Sequence, residues 1–409
     1  MTRSVPLGRR LAVSVVFVAP ALARGPLNPP PGPVSSTMRT LAEIEPRIPI
    51  HTLSGSPDTL HAITAPGHYF LTANLSGAAG KHAIQVAADN VVIDLNGFTI
   101  TGVPGSLDGI LVGTLFVPRR SVTIVNGTVR AFPGRGINAQ HCSAVRVERV
   151  KAIANADIGI KAGNGISGPA GGIILLCEAR ENGSHGIHAE SASVVSCTAL
   201  SNGGRGITAL ASSVSACVAS LNASDGIGGS GSLEACAAVA NLGDGINWSG
   251  TVLSSRSSNN AGQGIEVAAG SVVDSCRASF NDLDGFLLDE GSSIRRSVAR
   301  DNGDDGIELR ADSTAADNSC IANGRTSPTA AGIAAVNQGN RIDSNHVAGN
   351  PHGIRAYSSL NLIVRNSARA SAIADFSLAP GNTFGEIFSG SGVVGAISPW
   401  ANFSLDSSD

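Results

Sequence analysis

The stretch SVVSCTALSNGGRGI, Ser193–Ile207, is followed by two near copies of itself: SSVSACVASLNASDGI at Ser212–Ile227 and GSLEACAAVANLGDGI at Gly231–Ile246. Each copy has one cysteine, an asparagine five residues later, and a Gly-Ile pair whose glycine lies four residues beyond the asparagine. Self-similarity at a fixed period is the mark of a solenoid, in which each repeat forms one structural unit and stacks on the next.

The Gly-Ile unit, or a close variant, recurs far beyond these three copies. Its glycines are mostly 19 to 21 residues apart, with a few longer intervals, and are Gly136, Gly159, Gly186, Gly206, Gly226, Gly245, Gly264, Gly285, Gly306, Gly332 and Gly353. Leucine-rich repeats need leucines at fixed positions and a helical half, and calcium-binding nonapeptide repeats need Gly-Gly-x-Gly-x-Asp at half this spacing. The sequence has neither pattern, so we predict an all-β parallel β-helix of about 13 coils, which a rise of ~4.8 Å per coil makes about 60 Å long.

Two apolar columns indicate which side chains face the core. Apolar residues often recur two positions after the Gly-Ile isoleucine, as in Ile187 and Ala189, which is the period of a strand with one buried face. A second strand is predicted where a cysteine alternates with an alanine two residues on, as in Cys197 and Ala199.

The cysteine column predicts a ladder of small buried side chains. Parallel strands lie ~4.8 Å apart, which exceeds the roughly 3.5–4.5 Å between Cβ atoms that a disulfide needs. The seven cysteines are odd in number, and the same column holds Ser255, Ser297, Asn318, Asn345 and Asn366. We therefore expect free thiols that pack as small hydrophobic groups. A row of metal thiolates is the alternative, but no CxxC or paired-histidine spacing accompanies it.

The asparagine column predicts a second ladder. Its members are Asn155, Asn182, Asn202, Asn222, Asn241, Asn260, Asn281, Asn302, Asn323 and Asn350. Asparagine tolerates turn conformations, and its amide can hydrogen-bond to the coils above and below. A row of ligand-binding amides is the functional alternative.

The ends of the chain predict export and capping. Residues 1–23 combine three arginines with an apolar run that ends in Ala-Leu-Ala, as a signal peptide does. We expect a Pro-rich linker and short cap helix at 24–57, the β-helix at 58–370 and an aromatic C-terminal cap at 371–409. A periplasmic, cell-surface or secreted location follows, with no membrane span in the mature chain. The net charge of −3 argues against a nucleic-acid partner.

The repeated N-x-x-D-G-I units, PGHYFLTANLSG at Pro66–Gly77, VVIDLNGFTITG at Val91–Gly102 and NLIVRNSA at Asn361–Ala368 resemble the right-handed parallel β-helix repeat proteins of the pectin-lyase-like superfamily. The resemblance covers roughly residues 60–370 and implies a single-stranded right-handed coil. It does not imply one function, because the superfamily includes lyases, hydrolases, epimerases and non-catalytic proteins.

No catalytic residue can be carried over from that resemblance. Polygalacturonases have Asn-Thr-Asp, Asp-Asp, Gly-His-Gly and Arg-x-Lys in that order, whereas here His185-Gly186 precedes Asp304-Asp305 and Asn-Thr-Asp is missing. The Trp-Ile-Asp-His stretch of pectate lyases and the Asp-Pro-His-Glu of alginate epimerases are also missing.

Outward charged side chains supply the candidate sites. The catalytic candidates are Glu266, Asp289, Glu308 and Arg310; the ligand-binding candidates are His188, Glu190, Asp284 and Asp305; the Ca²⁺ candidates are Asp284, Asp304 and Asp305. Adjacent carboxylates can shift each other's pKa for general acid–base work, or bind Ca²⁺. They also suit a solvated face that keeps the rod soluble.

Three functional hypotheses follow. The first is an exported non-catalytic scaffold that contacts envelope or extracellular polysaccharide and requires no cofactor. The second is a polysaccharide lyase or glycoside hydrolase that uses the Glu266–Arg310 face. The third is a structural or adhesive protein that binds another protein. The sequence sets no oligomeric state.

Overall fold

The computed structural model describes residues 46–163, 171–389 and 398–405. Within these ranges the regular structure is almost entirely β: 42 strands join in one continuous ladder in which every pairing is parallel. One short 3₁₀ turn, Ile50–Thr52, precedes the ladder's main body. Each coil of the chain contributes to three sheets, and long strands pass from one sheet into the next.

Sheet 1 contains the strands that begin at the Gly-Ile unit and their equivalents near both ends of the ladder. Its strands are Thr59–Ile63, His82–Val86, Ile110–Val112, Ile137–Ala139, Ile160–Ala162, Ile187–Glu190, Ile207–Ser215, Ile227–Glu234, Ile246–Leu253, Ile265–Val267, Phe286–Leu288, Ile307–Leu309, Ala331–Ala335, His352–Ala356 and Ala374–Leu378. The strands Ile207–Ser215, Ile227–Glu234 and Ile246–Leu253 continue into sheet 2.

Sheets 2 and 3 complete each coil. The other strands of sheet 2 are Ile48–Pro49, Gly67–Phe70, Val91–Asp94, Val122–Arg130, Arg146–Ile153, Gly172–Leu175, Ala192–Val195, Val272–Asp274, Ser293–Arg295, Thr314–Ala316, Arg341–Asp343, Leu362–Val364 and Thr383–Phe384. Val122–Arg130 and Arg146–Ile153 run on into sheet 3, whose other strands are Leu75–Ser76, Thr99–Thr101, Glu178–Arg180, Thr198–Leu200, Val218–Ser220, Ala237–Val239, Arg256–Ser258, Arg277–Ser279, Val298–Arg300, Ser319–Ile321, His346–Ala348, Ser367–Arg369, Ile387–Ser389 and Asn402–Ser404. Arg119–Arg120 and Cys142–Ser143 form a separate parallel pair.

The core consists of stacked identical positions. Ile187 pairs with Ile207 and Ile207 with Ile227, and all three side chains are fully buried. Burying one such side chain stabilises the fold by roughly 1.5–3 kcal/mol. The predicted fold class is confirmed, and the described ladder makes about 16 turns, more than the Gly-Ile units alone indicated.

Five of the seven cysteines occupy a corner of the coil rather than a strand: Cys177, Cys197, Cys217, Cys236 and Cys276. The other two lie in the strands Cys142–Ser143 and Ser319–Ile321. The strand Ala192–Val195 ends before Cys197, and the next strand, Thr198–Leu200, begins after it. Between them Ser196 takes a left-handed conformation with φ of 52°, which turns the chain while the thiol stays buried. The prediction of a cysteine within the second strand is therefore corrected. A cysteine at the corner and an alanine in the following strand are both buried and two residues apart, which is the same spacing as two inward residues of one strand. All seven thiols are buried and free.

The asparagine ladder is confirmed. The Asn222 Oδ1 accepts the backbone N–H of Asn202 at 3.0 Å and its side-chain Nδ2–H at 2.9 Å, while the same Nδ2 also donates to the Ala179 carbonyl at 3.1 Å. The ladder explains the glycine of the repeat, because a Cβ on Gly206 would lie 2.6 Å from the Asn222 Nδ2. The asparagine column thus requires glycine at the corresponding position of the neighbouring coil.

A third ladder, which the sequence analysis missed, lies at the corner between sheets 1 and 2. The Ser292 Oγ accepts the N–H of Ser271 at 3.1 Å, and the Asn340 Oδ1 accepts that of Ser313 at 2.9 Å. Serine is too common in this chain for the column to stand out from the sequence.

The parallel ladder extends beyond the predicted bounds of 58–370. It begins with Ile48–Pro49, and Ala374–Leu378 and Asn402–Ser404 extend it at the other end, where the Asn402 Oδ1 accepts the N–H of Asn366 at 3.0 Å. The sequence signal fades there because the intervals lengthen and the Gly-Ile unit is lost, although inward side chains still stack. The predicted signal peptide and most of the predicted cap helix lie outside the described residues. Within the described ranges, no helix has the length and apolar character needed to cross a membrane.

Candidate functional site

The outward side of sheet 1 has one row of side chains that register across consecutive coils. This row, the central row, follows each Gly-Ile isoleucine and contains Asn138, Lys161, His188, Thr208, Gly228, Asn247, Glu266, Leu287, Glu308, Ala334 and Arg355. Since parallel neighbours lie ~4.8 Å apart, groups two coils apart remain within about 10 Å of each other.

Beside it runs the turn row, whose residues precede each glycine. Its side chains form a ladder that the sequence analysis did not predict: Asp225, Asp244, Gln263, Asp284 and Asp305 each accept a backbone N–H from the next coil at 2.5–3.1 Å. The aspartate of N-x-x-D-G-I therefore has a structural role through its Oδ1. A carboxylate has two oxygens, so the ladder leaves the Oδ2 of each aspartate for other partners.

Asp284, Asp305 and Glu308 form the acid cluster, with one ligand oxygen of each within 4.8 Å of the others. Asp284 is 5% exposed and Asp305 7%. Burial, strengthened by Asp305 and Glu308, raises the pKa of Asp284 to about 8. Burial likewise raises the pKa of Asp305 to about 7 and raises that of Glu308. The cluster therefore holds protons near neutral pH.

The structure brings together only part of the predicted Ca²⁺ set. Asp284 and Asp305 are in the acid cluster, but Glu308 of the central row, not Asp304, is the third member. Asp304 is close enough to raise the pKa of Asp284 and Asp305 by repulsion. Three carboxylates suit a hard divalent cation, which prefers oxygen ligands.

The four catalytic candidates divide into two groups. Arg310 lies 3.6 Å from Asp289 and 3.9 Å from Glu308, so these three side chains form one ion-pair group, in which Arg310 is exposed and the two acids are half-buried. Glu266 lies two coils away from Glu308, with Leu287 between them in the central row.

Glu266 belongs instead to a second acid pair. The Asn247 Nδ2 donates both to Glu266 at 3.0 Å and to the Asp244 Oδ2 at 3.2 Å, and so bridges the two carboxyl groups. Burial and Asp244 raise the pKa of Glu266 to about 7. The central and turn rows thus hold carboxyl groups with raised pKa at two separate places on this face, Glu266 and the acid cluster.

The ligand candidates His188 and Glu190 lie near the other end of the same face. The His188 Nε2 donates to the Glu190 carboxylate at 3.0 Å, and the rings of His185 and His188 meet edge to face at 5.9 Å. Burial lowers the pKa of both histidines. The His185 Nδ1 accepts the N–H of Arg205 at 3.1 Å, which leaves the proton of the neutral ring on Nε2.

Lys161, which the sequence analysis did not single out, precedes His188 in the central row. Its sequence context, Ile-Lys-Ala, matches the neighbouring repeats except for the lysine itself, so the sequence alone does not mark it as functional. Its position next to His188 in the row becomes visible only when the strands are aligned in space. Asn138 and Thr208, the neighbours of this pair in the row, were missed for the same reason.

A family model described as "Right handed beta helix region" matches residues 73–224. The predicted right-handed parallel β-helix fold is confirmed. No curated protein matches the chain.

Several solved structures are similar to this chain at low identity. The A-module of mannuronan C-5 epimerase AlgE6 from Azotobacter vinelandii is 15% identical, and the match covers 88% of this chain and 100% of that one with a TM-score of 0.45. The periplasmic alginate epimerase AlgG is 11% identical over 90% of this chain and 82% of that one, with a TM-score of 0.41. Pectate lyase Pel9A is 12% identical over 74% and 80%, with a TM-score of 0.33.

Proposed function

We propose that this chain is an exported β-helix scaffold that binds a polysaccharide along the outward face of sheet 1. The observation that carries the proposal is the pair of buried aspartates in the acid cluster, each with one oxygen fixed by a backbone N–H and a pKa near or above neutrality. A carboxyl group that is partly protonated can both donate and accept hydrogen bonds, as recognition of neighbouring sugar hydroxyls requires.

The repetition of the face supports an extended ligand rather than a small one. The acid pair of Asp244 and Glu266 lies about two coils from the acid cluster, on the same two rows. Polar groups repeated at the coil spacing suit a polymer that lies along the rod. Export is supported by the signal-peptide pattern of residues 1–23.

A second candidate is a polysaccharide lyase or glycoside hydrolase on the same face. Glu266, whose pKa lies at about 7, has the proton affinity of a general acid, and Glu308 also has a raised pKa. Glycoside hydrolysis uses two carboxyl groups of which one carries a proton. Arg310 beside Glu308 can neutralise developing negative charge.

One experiment distinguishes the two candidate functions. Residues 24–409 are incubated with acidic and neutral polysaccharides, with and without Ca²⁺, and both retention on the polymer and chain length by mass spectrometry are measured. The scaffold predicts binding without shortened chains, whereas the enzyme predicts fragments, with unsaturated ends for a lyase. Ca²⁺ dependence of binding would support a cation in the acid cluster.

Variants assign the effect to the face. Glu308→Gln and Arg310→Ala should weaken binding, or abolish product formation if fragments are seen. Thermal unfolding should be nearly unchanged, because Arg310 is exposed and glutamine keeps the size of Glu308. Glu234→Gln is the matched control, since Glu234 is an exposed glutamate at the end of the sheet 2 segment. Wild-type failure to bind any polymer would reject the proposal, and a protein partner would then become the leading hypothesis.

A further inference from the structure

The upstream part of the central row has an unusual concentration of buried polar atoms without a partner. Among the described residues, Asn138 Oδ1, His188 Nδ1 and Thr208 Oγ1 are shielded from solvent and make no hydrogen bond. These three side chains, together with Lys161, occupy four consecutive coils of one row. A buried polar atom without a partner costs about 1–3 kcal/mol, so three of them in one row need an explanation beyond folding.

The orphaned atoms are chemically alike. The Asn138 amide has its Nδ2 bonded to Asp108 at 2.9 Å, so only its acceptor oxygen lacks a partner. Because the His188 Nε2 donates to Glu190, its Nδ1 is also an acceptor. Thr208 is 6% exposed, and its hydroxyl can donate or accept. These three atoms can therefore accept hydrogen bonds from the hydroxyl groups of a ligand.

Lys161 adds a cation that has no fixed counter-ion. Within the described residues its ammonium group makes no hydrogen bond or ion pair, whereas the acids near it are already engaged: Glu190 with His188, and Asp157 with Arg135 at 3.0 Å. Burial and the neighbouring Arg135 lower the pKa of Lys161, so the ammonium form gains from an added anion.

We propose that Asn138, Lys161, His188 and Thr208 form a subsite for a sugar unit that carries an anionic group, with the anion on Lys161 and the sugar hydroxyls on the three acceptors. The inference rests on the proposed function and deepens it, because it assigns negative charge to the polysaccharide. A carboxylate and a sulfate ester offer the same oxygen anion, and each is compatible with the site. The subsite lies at least five coils from the acid cluster along the central row.

Lysine footprinting tests the location directly, since the chain has only three lysines, at 81, 151 and 161. Polygalacturonate, dextran sulfate and uncharged dextran are each added before brief acylation of amines, and the modified lysines are quantified by mass spectrometry. A bound anionic polymer should slow acylation of Lys161 severalfold and leave Lys151, which pairs with Glu178 at 3.4 Å on sheet 3, unchanged. Polygalacturonate and dextran sulfate distinguish the carboxylate from the sulfate.

Affinity measurements on variants complete the test. Lys161→Met should weaken binding of the anionic polymer about tenfold, Lys161→Arg should retain most of it, and Lys151→Met is the matched control. Uncharged dextran binding equally well, with Lys161 unprotected and Lys161→Met unchanged, would overturn this subsite while leaving the proposed function intact. Absence of binding to all three polymers and to the wider panel would overturn both.

Discussion

The asparagine ladder and the turn row make the same type of hydrogen bond between coils but differ in what else their side chains can bind. In both, a side-chain oxygen accepts the backbone N–H of the matching residue in an adjacent coil, as in Asn222 with Asn202 and Asp244 with Gln263. Asn222 is fully buried, whereas Asp244 is half-buried.

The difference lies in what each side chain has left over. An amide has a donor and an acceptor, and the asparagines use both within the protein, so their column is closed to ligands. A carboxylate has only acceptor oxygens, and an aspartate that spends one on the ladder keeps the other. A row of aspartates can therefore hold the coils together and still offer a carboxylate oxygen to a ligand, although neighbouring carboxylates repel each other.

The largest effect on stability is expected when one asparagine of the buried ladder is removed. Asn222→Ala removes the acceptor of two Asn202 donors and the donor to the Ala199 carbonyl, all of them buried. Each stranded buried group costs roughly 1–3 kcal/mol. We expect a loss of about 3 kcal/mol or more in the free energy of unfolding, measured by denaturant titration.

Asp244→Ala is the matched variant in the turn row. It removes the acceptor of the Gln263 N–H, but this region is half-buried and water can take the vacant place. We expect a loss of about 1 kcal/mol. Equal losses for the two variants would contradict the distinction between a closed and an open ladder.

The acid cluster predicts an intermediate effect with a defined pH dependence. The pKa of Asp284 is about 8 in the folded protein and about 3.9 in an unfolded chain, so between these values the folded state binds a proton that the unfolded state has lost. Stability therefore falls as the pH rises from about 4 to about 8. Asp284→Asn should be more stable than the wild type at pH 8, by about 2 kcal/mol, and similar to it at pH 4.

Asp343 supplies the control with the opposite sign. Its hydrogen bonds with Arg341 and Arg365 outweigh the effect of burial and lower its pKa to about 2. The stability from Asp343 is present above pH about 4 and is lost as the pH falls through about 2, so Asp343→Asn should lose about 1 kcal/mol at pH 7. Thermal unfolding from pH 2 to pH 9 measures both, and matching slopes for the two variants would show that the cluster does not hold protons as described.

The smallest effect is expected in the cysteine column. Cys217→Ser should change stability by less than about 1 kcal/mol, because Ser255 holds the equivalent position and accepts the N–H of Cys236 at 3.1 Å. Burial raises the pKa of the Cys276 thiol to about 11, so this thiol should react slowly in the native protein. Thiol titration of the denatured, non-reduced chain should find seven free groups; one or none would mean disulfides and would reject the ladder interpretation.

The candidate site was only partly predictable from the sequence. The repeat identified the outward rows, and with them Asp284, Asp305, Glu308 and His188. It did not show that Glu308 rather than Asp304 completes the acid cluster, because that depends on which side chain lies close to Asp284 and Asp305 in space. Lys161 stayed hidden because its significance lies in partners that are 20 to 30 residues away in sequence.

The sequence by itself determined the coil, because a period near 20 residues with inward Ile, Cys and Asn columns satisfies both burial and hydrogen bonding only when identical positions stack. The tertiary structure decided everything that depends on register between coils: the third ladder, the division of the acidic residues into a pair and a cluster, and the direction of each pKa shift. The physical reason is that backbone columns repeat, and so leave a sequence signal, whereas burial and electrostatic neighbours arise between side chains that differ from coil to coil.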